Sequence, residues 1–507
     1  MTAVTEESSK TTVPFSTDTL PASTHAVSRE TAAVERSFID ASTSGPVLTF
    51  FTTSIGWLLL STLFNLITSI QLHSPGFLSR VPFFHTELPF LTYGRLYPAA
   101  QNAFIYGWCS LAGMGVAIWL MARLCRVSIR APGVLIFGAF FWNVGLAIGI
   151  ILILLGSGRP IEGMELPPAS HWLMFTGFTM IGLWGAVMYR FRREAVAFIS
   201  VWYLLGAMFW FPWVLATANV VLASSDVRGV MRPIVAAWFA HNVNGWWLTA
   251  IGLAAAYFFI PKTINRPIHS YSLASLGFWT FAFLSGLTGM VRLSGGPIPV
   301  WLVTLSITAS IMMIVPISTV TANLVLTMKG HSNMVYHSPT IRFTYFGSIA
   351  FAVAGVLGIL SSLRSFDAIV HFTQFANAHQ SVLLYSFFSM VMFGAFYYIT
   401  PRLVGCEWLS SSMISLHFWG SAYGGIMVAA MLVFAGLAQG LSYADPQATS
   451  PQIIGIADVY FPGRTIGVLL ISVAHIVFAL HFLLMLLRIG QPGGEPTLFA
   501  PLDEDKH

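Results

Sequence analysis

The chain of 507 residues is 56% hydrophobic and only 8% charged, whereas an average soluble domain carries about 25% charged residues. Its mean hydropathy of +0.75 leaves no charged coat for a soluble enzyme, and it excludes a disordered protein and a nucleic-acid binder. The excess of 24 Lys+Arg over 19 Asp+Glu is what cytoplasmic loops give a membrane protein, not the footprint of a polyanionic partner.

In chain order, residues 1–45 come first, rich in Ser, Thr and Glu and without an apolar period. They read as a disordered cytoplasmic tail and lack the basic-then-apolar order of a signal peptide. From Pro46 the chain becomes a succession of apolar runs, each long enough for a bilayer, which takes about 20 residues. There are twelve, at 47–71, 99–124, 132–156, 170–190, 195–223, 233–260, 271–291, 300–328, 341–362, 376–400, 413–440 and 464–488. Only helices and closed barrels satisfy their backbone in lipid, and runs this long predict helices. The expected fold is therefore an all-α integral membrane bundle over 46–490, followed by a cytoplasmic tail at 491–507. With the N-terminus inside, inner loops carry eleven Lys/Arg and outer loops and helix ends eight, which puts both termini in the cytoplasm. Cys109, Cys125 and Cys406 are too scattered for a disulfide framework or a cysteine metal site.

Ionisable residues inside a membrane are costly and point to function. His241 and His379 fall at similar depth in the outer parts of the sixth and tenth spans. Neutral imidazole ligates metal or haem iron, although a hydrogen-bonded packing histidine has the same signature, and neither residue has an HxxxH partner. Arg292, just before Ser294-Gly295-Gly296-Pro297, either supplies a fixed cavity charge or snorkels from a helix end. Tyr271, Ser272, Thr319, Thr321 and Asn323 would form a polar track, unless the hydroxyls bond their own backbone.

Longer motifs surround these positions. His241-Asn242-Val243-Asn244-Gly245-Trp246-Trp247 runs through Tyr257-Phe258-Phe259-Ile260-Pro261-Lys262 to Arg266-Pro267. Tyr93-Gly94-Arg95-Leu96 precedes Pro98 and Asn102, and His371-Phe372-Thr373 stands eight residues before His379. Pro401-Arg402-Leu403-Val404-Gly405, Leu416-His417-Phe418-Trp419 and Ala435-Gly436-Leu437-Ala438-Gln439-Gly440 follow. In this order, over about 47–488, the chain resembles the catalytic subunit I of cbb3-type (C-family) haem-copper cytochrome c oxidases.

That resemblance implies a twelve-helix fold and a set of metal ligands that this sequence only partly keeps. The low-spin haem ligands of the family correspond to Ala100 and Ser381, neither of which replaces imidazole on iron. Of the three copper histidines, His241 is present, while the adjacent pair falls on Val291 and Arg292 and the redox tyrosine on Ser285. Copper of this kind wants three nitrogens, and arginine does not deprotonate in a protein. The axial ligand of the high-spin haem corresponds to His379, and the acidic residue of the ninth helix to Leu360. Glu165 and His371 resemble residues of the propionate region, where the family also binds calcium. The expectation is a degenerate homologue with at most one haem b, without a copper centre, in a bacterial inner-membrane respiratory complex. Its partners would be other membrane subunits and c-type cytochromes. A cofactor-free structural or assembly subunit, and an active oxidase or nitric oxide reductase with rearranged ligands, stay open as alternatives.

Overall fold

The structure, a computed structural model, describes residues 22–81, 86–224 and 226–489, without the side chains of 22–32, 81, 86 and 87. Twelve helices among the described residues are long and apolar enough to span a bilayer. They are α1 (Ala22–Gln71), α2 (Tyr93–Cys125), α3 (Pro132–Leu154), α4 (Pro168–Arg190), α5 (Ile199–Ala223) and α6 (Met231–Thr263). The second half comprises α7 (Tyr271–Ser285), α8 (Val300–Met328), α9 (Pro339–Leu360), α10 (Phe375–Val404) and α11 (Ser411–Tyr443), and α12 (Phe461–Leu486).

The twelve apolar runs are thus twelve helices. The first of them departs from expectation, because α1 begins at Ala22, well inside the stretch read as a disordered tail. Residues 1–21, and the C-terminal tail from 490, lie outside the described residues. The extension is held by charge rather than by an apolar stripe, which is why hydropathy misses it. Asp40 pairs with Arg123 at 3.3 Å and accepts the Trp119 indole N–H at 3.1 Å. Glu35 meets Arg126 and lies 3.5 Å from Arg193. The acids of α1 therefore pair with basic residues at the end of α2 and in the loop before α5.

Around the bundle, neighbouring helices run α11, α12, α1, α3, α4, α5, α7, α8 and α9. They enclose α2, α6 and α10, which are buried along most of their length while the outer helices are less than half to half buried. In lipid, helices associate through packing and hydrogen bonds rather than by expelling water, and the inner trio shows both. Its members share one local feature: each widens into π-helix, at Ala103–Cys109, Val243–Thr249 and Val382–Ser389. In each a hydroxyl near the end of the wide stretch bonds the carbonyl five residues back. The three are Ser110 to Ile105 at 2.8 Å, Thr249 to Asn244 at 2.7 Å and Ser389 to Leu384 at 2.9 Å. The same regions lock to one another. Trp108 donates to Ser389 Oγ at 2.9 Å, and Trp247 to Ser110 Oγ at 3.0 Å. A π turn changes the helical phase, and such turns concentrate at functional sites. Here each follows, within three residues, one of the positions singled out by sequence: Ala100, His241 or Ser381.

Candidate functional site

Ala100 on α2, His241 on α6, and His379 and Ser381 on α10 fall at two separate places. The first surrounds His241 and His379. Both imidazoles lie deep in the protein yet keep some accessible surface, so each borders internal space. The π stretches that follow them, Val243–Thr249 and Val382–Ser389, pack against each other. His379 reaches α9, where its Nε2 lies 3.1 Å from where a side chain on Gly358 would begin. Glycine at 358 leaves Nε2 uncovered, and this surrounding fits an axial ligand.

The copper set does not fit. His241 Nε2 is taken by the Thr288 hydroxyl, which also bonds the Ser285 carbonyl at 2.8 Å. Ser285 is buried with its Oγ against Gly245 of α6. Val291 and Arg292 occupy a short 3-10 turn, Met290–Leu293, beyond α7. Arg292 is 43% exposed and reaches outward to the exposed Glu162 at 3.3 Å. Of the two readings of Arg292 the outward one describes its side chain, although its charge still bears on both imidazoles. One imidazole, already hydrogen-bonded, beside valine and an outward arginine does not offer copper three nitrogens.

The second place is the gap between α1, α2, α10, α11 and α12. A cavity of about 120 Å³ lies there, with both Ala100 and Ser381 in its wall. The positions that resemble low-spin haem ligands are therefore brought together by the fold, but carry no imidazole for iron. The cavity does hold one imidazole, His475 of α12. Its Nδ1 lies 2.7 Å from Thr62 Oγ1 and its Nε2 3.1 Å from the Tyr385 hydroxyl, so both nitrogens are engaged.

The connections that lead into α4 and α10 hold Glu165 and His371. Glu165 accepts the Asn102 amide at 3.0 Å and the Gly163 N–H at 2.9 Å. Burial raises its pKa above the ordinary 4.5, and those two donors oppose the rise. Calcium takes six to eight oxygens. Both oxygens of this carboxylate already accept hydrogen bonds, and among the described residues no group of three or more His, Cys, Asp or Glu is arranged for a metal. The residues do not fit calcium. His371 Nδ1 bonds Asp367 at 3.0 Å, and Asp367 accepts Ser294 Oγ at 2.7 Å. Leu360 is partly exposed at the end of α9.

Arg95, Arg364 and Arg464 donate to neutral groups. Arg95 donates to the Leu154 carbonyl at 3.1 Å, Arg364 to Thr304 at 3.0 Å and Arg464 to Ser69 at 2.7 Å. Among the described residues the candidate polar-track side chains do not hydrogen-bond one another. Thr319 bonds the Val315 carbonyl of its own helix at 2.8 Å, Asn323 staples Ser270 at 3.0 and 2.8 Å, and Tyr271 is exposed. Sequence reasoning missed Thr288, Asp367 and the place of His475. Asp367 alone left a trace, standing four residues before His371, where helical spacing lets side chains meet. Thr288 and His475 have partners far away in sequence, which no local pattern reveals.

Residues 45–470 match the family model described as cytochrome c and quinol oxidase polypeptide I. A cytochrome c oxidase subunit 1 homolog of Agrobacterium tumefaciens (strain T37) is 24% identical over 469 residues, covering 88% of this chain and 84% of that protein. The cbb3-type cytochrome c oxidase subunit CcoN1 of Stutzerimonas stutzeri is 25% identical over 374 residues, 71% of this chain and 78% of its own length. A haem-copper terminal oxidase solved as a dimer by cryo-electron microscopy superimposes with a TM-score of 0.70 at 14% identity, over 90% of this chain and 86% of that one. With twelve membrane-spanning helices in this arrangement and a match over most of its length, the chain belongs to the cytochrome c and quinol oxidase polypeptide I family.

Proposed function

We propose that this chain is a degenerate, cbb3-like subunit I of a bacterial respiratory or electron-transfer complex. It keeps at most one b-type haem, held by His379, and no copper centre, and it does not by itself reduce oxygen. The observation that carries the reading is the contrast between the two places on α10. His379 keeps an imidazole with its Nε2 beside Gly358, whereas Ser381 and Ala100 line a cavity whose one lining histidine is engaged at both nitrogens. A haem on His379 would supply a redox iron with one axial imidazole. The chain's own residues would enclose it between α6, α9 and α10, with His371 and Glu165 on the outer side. Without a second, bis-imidazole haem, electrons lack a relay within this chain. Other membrane subunits and c-type cytochromes are therefore the partners, in the bacterial inner membrane, with both termini in the cytoplasm.

A pyridine haemochrome spectrum with a metal count on the purified protein tests this. One haem b per chain without copper is expected, lost in His379→Ala. No haem would make the chain a structural or assembly subunit, and two haems with copper would make it an active oxidase or nitric oxide reductase.

A further inference from the structure

The cavity between α1, α2, α10, α11 and α12 contains an electrostatic imbalance. Arg464 is 8% exposed and lines this cavity. Its guanidinium donates to Ser69 Oγ at 2.7 Å and Asn65 Oδ1 at 3.4 Å, both neutral, and the Tyr93 and Tyr97 phenols are close by. Among the described residues no carboxylate pairs with it, and none lines the cavity. A guanidinium has five N–H donors, of which two are accounted for. A buried positive charge facing space is costly unless a counter-charge meets it. The wall is mixed: apolar Ala100, Phe104, Leu384, Leu432, Val468 and Ile471 share it with neutral polar side chains such as Gln101, Gln380 and Ser381. Its volume of about 120 Å³ is close to that of an apolar cavity of about 150 Å³ that admits benzene.

We infer that this cavity binds a hydrophobic carboxylate, with its anionic head forked by Arg464 and an apolar body of about benzene size against Ala100 and Leu384. Planar, two-oxygen acceptors are what a guanidinium matches best. The ligand is either a free acid of benzoate size or the head end of a fatty acid from the bilayer. The site depends on the absence of an imidazole at Ala100 and Ser381, since bulk at either would fill it. It is independent of any haem on His379.

The test is calorimetric binding to the full-length protein in nanodiscs of neutral lipid. The probes are benzoate and oleate, each beside its uncharged counterpart, benzamide and oleyl alcohol. At least one acid should bind at least tenfold more tightly than its neutral partner. Benzoate binding identifies a soluble acid, and oleate binding alone a membrane-derived one. Arg464→Gln should abolish that preference. Ala100→Leu, which keeps the arginine but fills the apolar end, should weaken the same acid at least tenfold even if the Arg464 variant fails to fold. Equal binding of acid and neutral compound, no binding, or an acid affinity unchanged in Ala100→Leu would overturn the inference. So would a haem band that is lost in Ala100→Leu and retained in His379→Ala.

Discussion

At the scale of single residues, the candidate site is decided by which way side chains turn. Arg292 occupies a position where the family resemblance implies a copper ligand, but it pairs with a glutamate that is itself 87% exposed. Exposed ion pairs contribute about 0–1 kcal/mol. Arg292→Leu should therefore leave the thermal midpoint nearly unchanged; a large loss would mean that the arginine balances a buried charge. Glu165 behaves oppositely. Burial lifts its pKa above the ordinary 4.5, so the folded state holds the proton more tightly than the unfolded chain does. The stabilisation that follows is fully present below 4.5 and is lost as pH rises through the folded value. Infrared spectroscopy should find a protonated carboxyl band persisting above pH 4.5 and missing in Glu165→Gln. The fall in stability across that window should disappear in the same variant. A wild-type band that titrates at or below 4.5 would contradict the burial argument.

Among the elements, α11 shows how a helix can hold a loop in place through the lack of side chains. At Gly436 a Cβ would stand 2.3 Å from the Phe375 nitrogen, and at Gly440 2.0 Å from the Ile369 carbonyl. Between them Gln439 accepts the Gln374 N–H at 3.1 Å. The Ala435–Gly440 motif is thus the seat on which the segment from Ile369 to Phe375, leading into His379, rests. Gly440→Ala should push that segment away, costing about 1–3 kcal/mol by overpacking and lowering haem retention at His379 together with the thermal midpoint. A variant with both unchanged would show that the seat is soft. On the opposite face of the membrane, Asp40 fixes the extension of α1. Asp40→Ala leaves the largely buried Arg123 and the Trp119 indole without their acceptor. Loss of such a partner costs about 1–3 kcal/mol, which a thermal melt would register, and limited proteolysis should then cut ahead of Pro46.

For the whole molecule, most of the architecture was legible in the residues. A hydrocarbon slab forces long apolar runs into helices, so twelve runs predicted twelve spans, and motif order predicted the family. The same arithmetic failed at the N-terminus, because the extension of α1 is built from ion pairs with loops far along the chain. It also could not foresee the π turns of α2, α6 and α10, since a phase change arises from packing among three helices. Sequence by itself determined which atoms are available: imidazole at His241 and His379, and none at Ala100, Ser381, Val291 or Arg292. Only the tertiary structure decided where they meet. It turns Arg292 outward, caps His241 with Thr288, brings Ala100 and Ser381 to one cavity and leaves Arg464 facing it without a carboxylate among the described residues. Chemistry of a side chain is local and written in the sequence, whereas the partner that engages it depends on helices brought together from hundreds of residues apart.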